Sequence, residues 1–358
     1  MVLPGTILRT VADGASSVPN ASADGAAGNA VPVSEAQGNA IQRLVRRIDD
    51  FQQSHAPLAF AYGVIKKFGD DRGSQLGGLI AFYGFLAFFP LMLVLVTVTA
   101  FIAHGNPHFA DQIRTSALSQ FPVVGPDLAG HQKALPGSGL GLAVGLVGLL
   151  WGALGVTQTV QYAFAEVWHV PYKARANFVV RVTRGLALFL LLGAFVVATA
   201  GLGSIGGLVH NSRIAGVAGV VLGAAVSIGL YLIVFRMLSP KQVGWRDLLP
   251  GAIVAGIGWQ ALEVLGVQLV QHQLKHASQL YGTVGVVLGL IWFLVLVAQI
   301  TLYGIEINIV RACKLWPRSI VAPPGTEADR ELLQAMARQE ERREDERVTV
   351  EFEQGTAR

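Results

Sequence analysis

Six long, almost uncharged apolar blocks constrain this chain more than any other feature. They cover about residues 76–104, 138–166, 185–209, 214–238, 248–270 and 281–312. An apolar run of ~18 or more residues is long enough to cross a ~30 Å hydrocarbon core as a helix. A helix satisfies its own backbone groups, and continuous runs lack the alternation of a membrane β-barrel strand. The blocks therefore predict an all-α, polytopic membrane protein with six transmembrane helices. Composition agrees, since 52% of the 358 residues are apolar and only 14% charged, outside the soluble range for this size.

The connections set the orientation. Arg43, Arg46, Arg47, Lys66, Lys67 and Arg72 precede the first block; Lys173, Arg175, Arg181 and Arg184 lie between the second and third. Arg236, Lys241 and Arg246 lie between the fourth and fifth, and Arg311, Lys314 and Arg318 at the end of the sixth. The opposite side carries only Arg114, Lys133, Arg213 and Lys275. Excess Lys and Arg mark cytoplasmic loops, so both termini are expected in the cytoplasm. The net charge of +4 is thus a topology signal, and no nucleic-acid partner is expected.

Four regions follow. Residues 1–40, rich in Ala, Gly and Ser, lack the apolar core of a signal peptide and are expected to be a disordered lead. Residues 41–75 hold Ile41, Leu44, Val45, Ile48 and Phe51 at helical spacing. This predicts an amphipathic cytoplasmic helix, either interfacial or packed on the bundle. Residues 76–312 are the transmembrane domain. Residues 313–358 form a charged cytoplasmic tail, expected to be a solvated helix fading into disorder. Cys313 is the single cysteine, which excludes an intramolecular disulfide; a free, inert thiol is expected, with palmitoylation the alternative.

Within the second block Gly141, Gly145, Gly148, Gly152 and Gly155 recur at +4 and +3, a small-residue stripe for close helix contact. Gly216, Gly219, Gly223 and Ser227 in the fourth block, and Gly282, Gly285 and Gly289 in the sixth, are read the same way. Pro90 interrupts the first block and is a kink, with gating as its functional reading. Ionisable groups in a bilayer are costly and mark candidate sites. Glu166 projects onto the glycine stripe, with Tyr162 and Gln158 one and two turns before it. Glu263 lies deeper, in the fifth block. Glu306 shares a face with Gln299 and Tyr303. It lies roughly 37 Å beyond Tyr281 along a helix, which places it near the cytoplasmic surface. It would either gate an inner vestibule or anchor the helix end against an arginine. These seven side chains are the candidate substrate-pathway residues. The pairs His104/His108 and His272/His276 have metal-like spacing but no acidic cluster, so neither a metal nor another cofactor is expected.

Four segments resemble the YihY/BrkB family of integral membrane proteins. "AFYGFLAFFPLMLVL" resembles its first span, with Tyr83 ahead of Phe89-Pro90. "QTVQYAFAEVWHVPYKARANFVVR" is similar to its link between spans two and three, and "SPKQVGWRDLLPGAIVAGIGW" to its entry to span five. "YGTVGVVLGLIWFLVLVAQITLYGIEINIV" resembles its last span, from Tyr281-Gly282 to the closing Gly304-x-Glu306-x-Asn308. Two departures are Glu166, where many relatives carry asparagine, and Ile305, where alanine is common. The resemblance implies a bacterial inner-membrane protein tied to envelope integrity, with membrane lipids as partners and homo-oligomerisation left open. It implies a handler or transporter of a lipid or small polar substrate, or else a non-transporting scaffold. An old ribonuclease BN label has no support in these residues, and no enzymatic role is expected.

Overall fold

The structure, a computed structural model, describes residues 40–103, 139–208, 213–321 and 325–352. The N-terminal lead up to residue 39 and the pair His104/His108 lie outside the described residues, as do the side chains of His272, His276, Tyr281 and Gly282. Among the described residues the regular structure is helical, with no strand. In chain order the helices are α1 (Ala40–Ser54), α2 (Ala56–Asp70), α3 (Gly73–Ala103), α4 (Gly139–Val167), α5 (Phe178–Leu208), α6 (Arg213–Leu238), α7 (Trp245–Ala312) and α8 (Glu327–Gln339).

Among the described residues five helical segments are long and apolar enough to cross a membrane: Gly73–Met92, Ala143–Val167, Phe178–Phe195, Gly219–Leu238 and Val287–Ala312. The expected span at 248–270 is not among them. It forms the first arm of α7, which was expected as two helices and is continuous from Trp245 to Ala312. A straight helix of 68 residues would be roughly 100 Å long. This one doubles back: the Gly251 N–H donates to Asn308 Oδ1 at 2.8 Å. Further along, Gly258 faces Ile300 and Trp259 lies 6.1 Å from Phe293 between ring centroids. The index rises on one arm as it falls on the other, so the arms are antiparallel and the chain reverses midway between these pairs.

Glycine sets the closest approaches. On α4, a Cβ added at Gly148 would meet Pro90 at 3.3 Å, one at Gly152 the Ala87 Cα at 2.8 Å, and one at Gly155 the Tyr83 ring at 2.8 Å. Gly148, Gly152 and Gly155 of the stripe read from sequence therefore form the α3–α4 seam, with Pro90, Ala87 and Tyr83 as their counterparts. Between the α7 arms, a Cβ at Gly251 would run into the Gly304 carbonyl and the Asn308 amide. On α6 the stripe is partial: Gly223 faces Gln260, whereas Gly219 has nothing within 4 Å.

All the inter-span connections described meet at one end, the basic end, where α1, α2 and α8 also pack. The core there holds Phe164, Phe235, Leu248, Leu302 and Ile305, each fully buried. The tail differs from its expectation. The side chain of Thr326 caps α8 in a reciprocal capping box with Asp329, and the helix buries Ala328 and Leu332 against the bundle. The two apolar residues lie on one face of a short helix whose charge density masked them.

Candidate functional site

The most unusual chemistry lies where α2 meets the end of α7. Ala59, Gly63 and Lys67 fall at i, i+4 and i+8 on the buried face of α2. Following that stripe inward, the chain buries an ammonium group completely. Lys67 Nζ bonds Asp71 Oδ2 one turn on, lies 3.0 Å from Glu306 Oε2 and donates to the Val167 carbonyl at 2.9 Å. Glu306 is 0% exposed, as is Lys67, so the pair is fully desolvated. An isolated charge there would be prohibitive; the ion partners make it tolerable. Burial alone would push the Lys67 pKa down, but Glu306 and Asp71 outweigh it and raise it above its ordinary value. Burial would raise Asp71, yet the Lys67 charge and His169 bring it down to about 2.

The cluster continues outward as a chain of contacts. His169 Nε2 lies 3.3 Å from Asp71 Oδ1, and its Nδ1 lies 2.7 Å from Gln339 Oε1 on α8. The Gln339 amide donates to Glu166 Oε2, which fixes the amide orientation. Glu166 Oε1 accepts from Arg175 at 3.1 Å, and Arg175 stacks 4.0 Å from the Tyr172 ring centroid. His169 takes a left-handed backbone, φ 46°, just beyond α4. That conformation costs a non-glycine residue about 1 kcal/mol or more, and here it aims the imidazole between α8 and Asp71. A second set of ion pairs latches the tail: Asp329 binds Lys66 at 2.8 Å and Arg318 at 2.5 Å, and Arg318 reaches Asp70 at 2.8 Å. Asp49 of α1 accepts from Ser319 and Ile320. Burial would raise Asp329, but Lys66 and Arg318 lower it well below the carboxylate range. Cys313 is free, and burial pushes its thiol up to about 11, which keeps it protonated and inert.

Glu306 and Glu166 do not face one open vestibule: they are joined only through Lys67, Asp71, His169 and Gln339, and Glu263 lies apart from both. Glu306 is near the basic surface, as its depth predicts, but its partner is a lysine of α2, not an arginine. Tyr303 stacks on Phe68 at 4.0 Å and Gln299 lies beside Gly77, so the expected face is covered by α2 and α3. The closing motif has two faces: at 3.6 residues per turn Gly304 and Asn308 point to the first α7 arm while Glu306 points away, to Lys67. Glu166 faces Arg175 and α8. Glu263 is about 18 Å along its arm from Gly251; it accepts from Gln260 at 3.0 Å, which also reaches Ser227 of α6.

Gln158 and Tyr162 instead line a cavity of about 500 Å³ on the outer side of the α3–α4 seam. Its deeper wall is Leu86, Trp151 and Leu154, and its other end is Leu79 with Gln158, Thr159, Tyr162 and Arg181 of α5. Sequence reasoning missed Lys67, Asp71, His169 and Gln339. Lys67 had a signal: it lies on the small, apolar stripe of α2, whereas Lys66, one residue away, lies off it. The others had none, because their partners come from distant segments.

A family model described as virulence factor BrkB matches residues 64–319. A protein of Escherichia coli (strain K12), "Inner membrane protein YhjD", is 22% identical over 274 residues, which is 70% of this chain and 80% of its own length. No solved structure matches at a significant level. The matched residues begin on α2 just before Lys67 and end at Ser319, so they take in the buried ion cluster and every helix that builds it except α1 and α8. The chain belongs to the virulence factor BrkB family.

Proposed function

We propose that this chain is a six-span inner-membrane protein, both termini cytoplasmic, that handles a lipid or small polar substrate without catalysing a reaction. Six spans are supported by the doubling back of α7, which gives residues 248–270 a partner arm of membrane-spanning length. The inner membrane is supported by the name of the similar Escherichia coli protein. The basic end supports the cytoplasmic placement. The exposed Leu44, Ile48 and Phe51 on α1 support an interfacial N-terminal helix.

The observation that carries the substrate reading is the cavity: apolar at depth, polar at one end, and adjoining the Glu166–Arg175 pair through Tyr162, over which Arg175 lies at 5.5 Å. It is tested by reconstituting the full chain and measuring lipid flip and solute uptake. Gln158→Leu and Tyr162→Phe are expected to lower the initial rate about tenfold; parental rates in both would overturn the reading.

A second reading, a non-transporting scaffold for envelope assembly, is favoured by the closure of the Glu306 cluster, which has no exposure. On that reading the exposed side of α8, with Leu333 51% exposed, meets a partner. Leu333→Glu should then abolish the envelope phenotype with an unchanged melting temperature; a wild-type phenotype removes this reading.

A further inference from the structure

The cavity beside the α3–α4 seam has the dimensions and polarity of one lipid chain. Trp151 and Tyr162 mark its ends on α4, eleven residues apart, so it extends roughly 16 Å along the helix. That is about half of a ~30 Å hydrocarbon core, the depth of one leaflet. The floor is closed, because Gly152 and Gly155 bring α4 against Ala87 and Tyr83. An occupant therefore lies in the groove and cannot pass between the helices. The outer side is open, with Trp151 72% exposed and Leu79 40% exposed, so entry is from the bilayer.

The polar end discriminates by charge. Arg181 is exposed and forms no ion pair among the described residues. The acid nearest in sequence on α4, Glu166, is already held by Arg175 and Gln339. Gln158 also has no hydrogen-bond partner among the described residues, whereas Thr159 is satisfied by the Gly155 carbonyl. The Gln161 amide bonds the Arg181 carbonyl at 3.0 Å, which fixes where that side chain begins. A guanidinium and an amide without partners, at the headgroup level of an apolar slot, match a phosphodiester. The ammonium of a zwitterionic lipid would find no free carboxylate in this lining.

We propose that this groove binds an anionic phospholipid of the leaflet at the basic end, one acyl chain against Leu86, Leu154 and Trp151 and the phosphate on Arg181. The proposal rests on the lipid-handling reading for its biological use, and names the lipid class. Binding itself is separable from transport.

The full chain is reconstituted in phosphatidylcholine vesicles doped with acyl-brominated phosphatidylglycerol or acyl-brominated phosphatidylcholine. Subtracting Trp151→Phe from the parent isolates the quenching of Trp151 among the six tryptophans. Trp151 is expected to reach half-quenching at a severalfold lower fraction of the anionic lipid. Arg181→Gln removes that preference, and Arg184→Gln, on the same helix but outside the groove, keeps it. Independently of any substitution, raising the salt concentration weakens the preference in the parent. Equal half-quenching by the two lipids in the parent, or an anionic preference retained in Arg181→Gln, overturns the proposal. Flip measured on the same vesicles tells the two readings apart. Intact transport without lipid preference removes the lipid assignment alone. Preference retained while Gln158→Leu and Tyr162→Phe transport like the parent removes the functional reading and leaves the site.

Discussion

The basic end and the depth of the bundle are held together in opposite ways. At the basic end, charged groups converge: Lys67, Asp71 and Glu306 are buried together, and Asp329, Arg318 and Lys66 pin the tail beside them. Deeper in, the close contacts are glycines of α4 against α3, at Gly152 on the Ala87 backbone and Gly148 on Pro90. Lipid offers no hydrophobic gain for bringing helices together, so close van der Waals approach through small residues does that work. Near the surface, α2 and α8 add Phe68 and Leu332 to the apolar core, and directional ion pairs specify their positions. Charge fixes which segment docks where; glycine fixes how near two helices come.

The sharpest way to break this contrast is Lys67→Met. It leaves Glu306 and Asp71 buried without their cation, an expected cost of about 3–5 kcal/mol, read as lost thermal stability in detergent. Adding Glu306→Leu should recover part of that loss, because the orphaned charge goes with it; no recovery would mean the lysine acts through packing alone.

Gly152→Leu tests the other regime. Its side chain would push against the Ala87 backbone, with an expected loss of about 1–3 kcal/mol. This loss should be insensitive to salt and pH.

Acid should act on the basic end. Asp71 has a folded pKa of about 2 against its ordinary 3.8. A depressed carboxylate stabilises fully above about pH 4 and loses that contribution as pH falls through 2. The full loss amounts to about 2 kcal/mol. Melting followed from pH 5 to pH 2 should therefore fall in the parent and stay flatter in Asp71→Asn.

The smallest expected effect is Thr326→Ala, which removes the α8 cap for about 1 kcal/mol. Amide exchange should quicken across Glu327–Gln339 and stay unchanged in α4.

Most of the bundle was legible in the sequence because membrane helices are local objects. Their length, their apolar run and the stripe from Gly148 to Gly155 all lie within one segment, and hydrocarbon permits few alternatives. The depth of Glu306 followed from counting residues along one helix. Its partner did not, since Lys67 stands most of the chain away and was legible only as a positive charge on one side. The tail was misread for the same reason: Ala328 and Leu332 say little until the surface they meet exists.

The sequence by itself determined that this chain spans a membrane as helices, which side gathers the positive charge and which face of α4 is lined with glycine. Each follows from composition and periodicity within a single block. Only the tertiary structure decided that the last two blocks fold as one doubled helix, that Lys67 faces Glu306, that Gln158 and Tyr162 border a groove, and that α8 closes the basic end. Those outcomes depend on which buried charge finds its counter-charge, and that pairing exists only once distant segments are packed together.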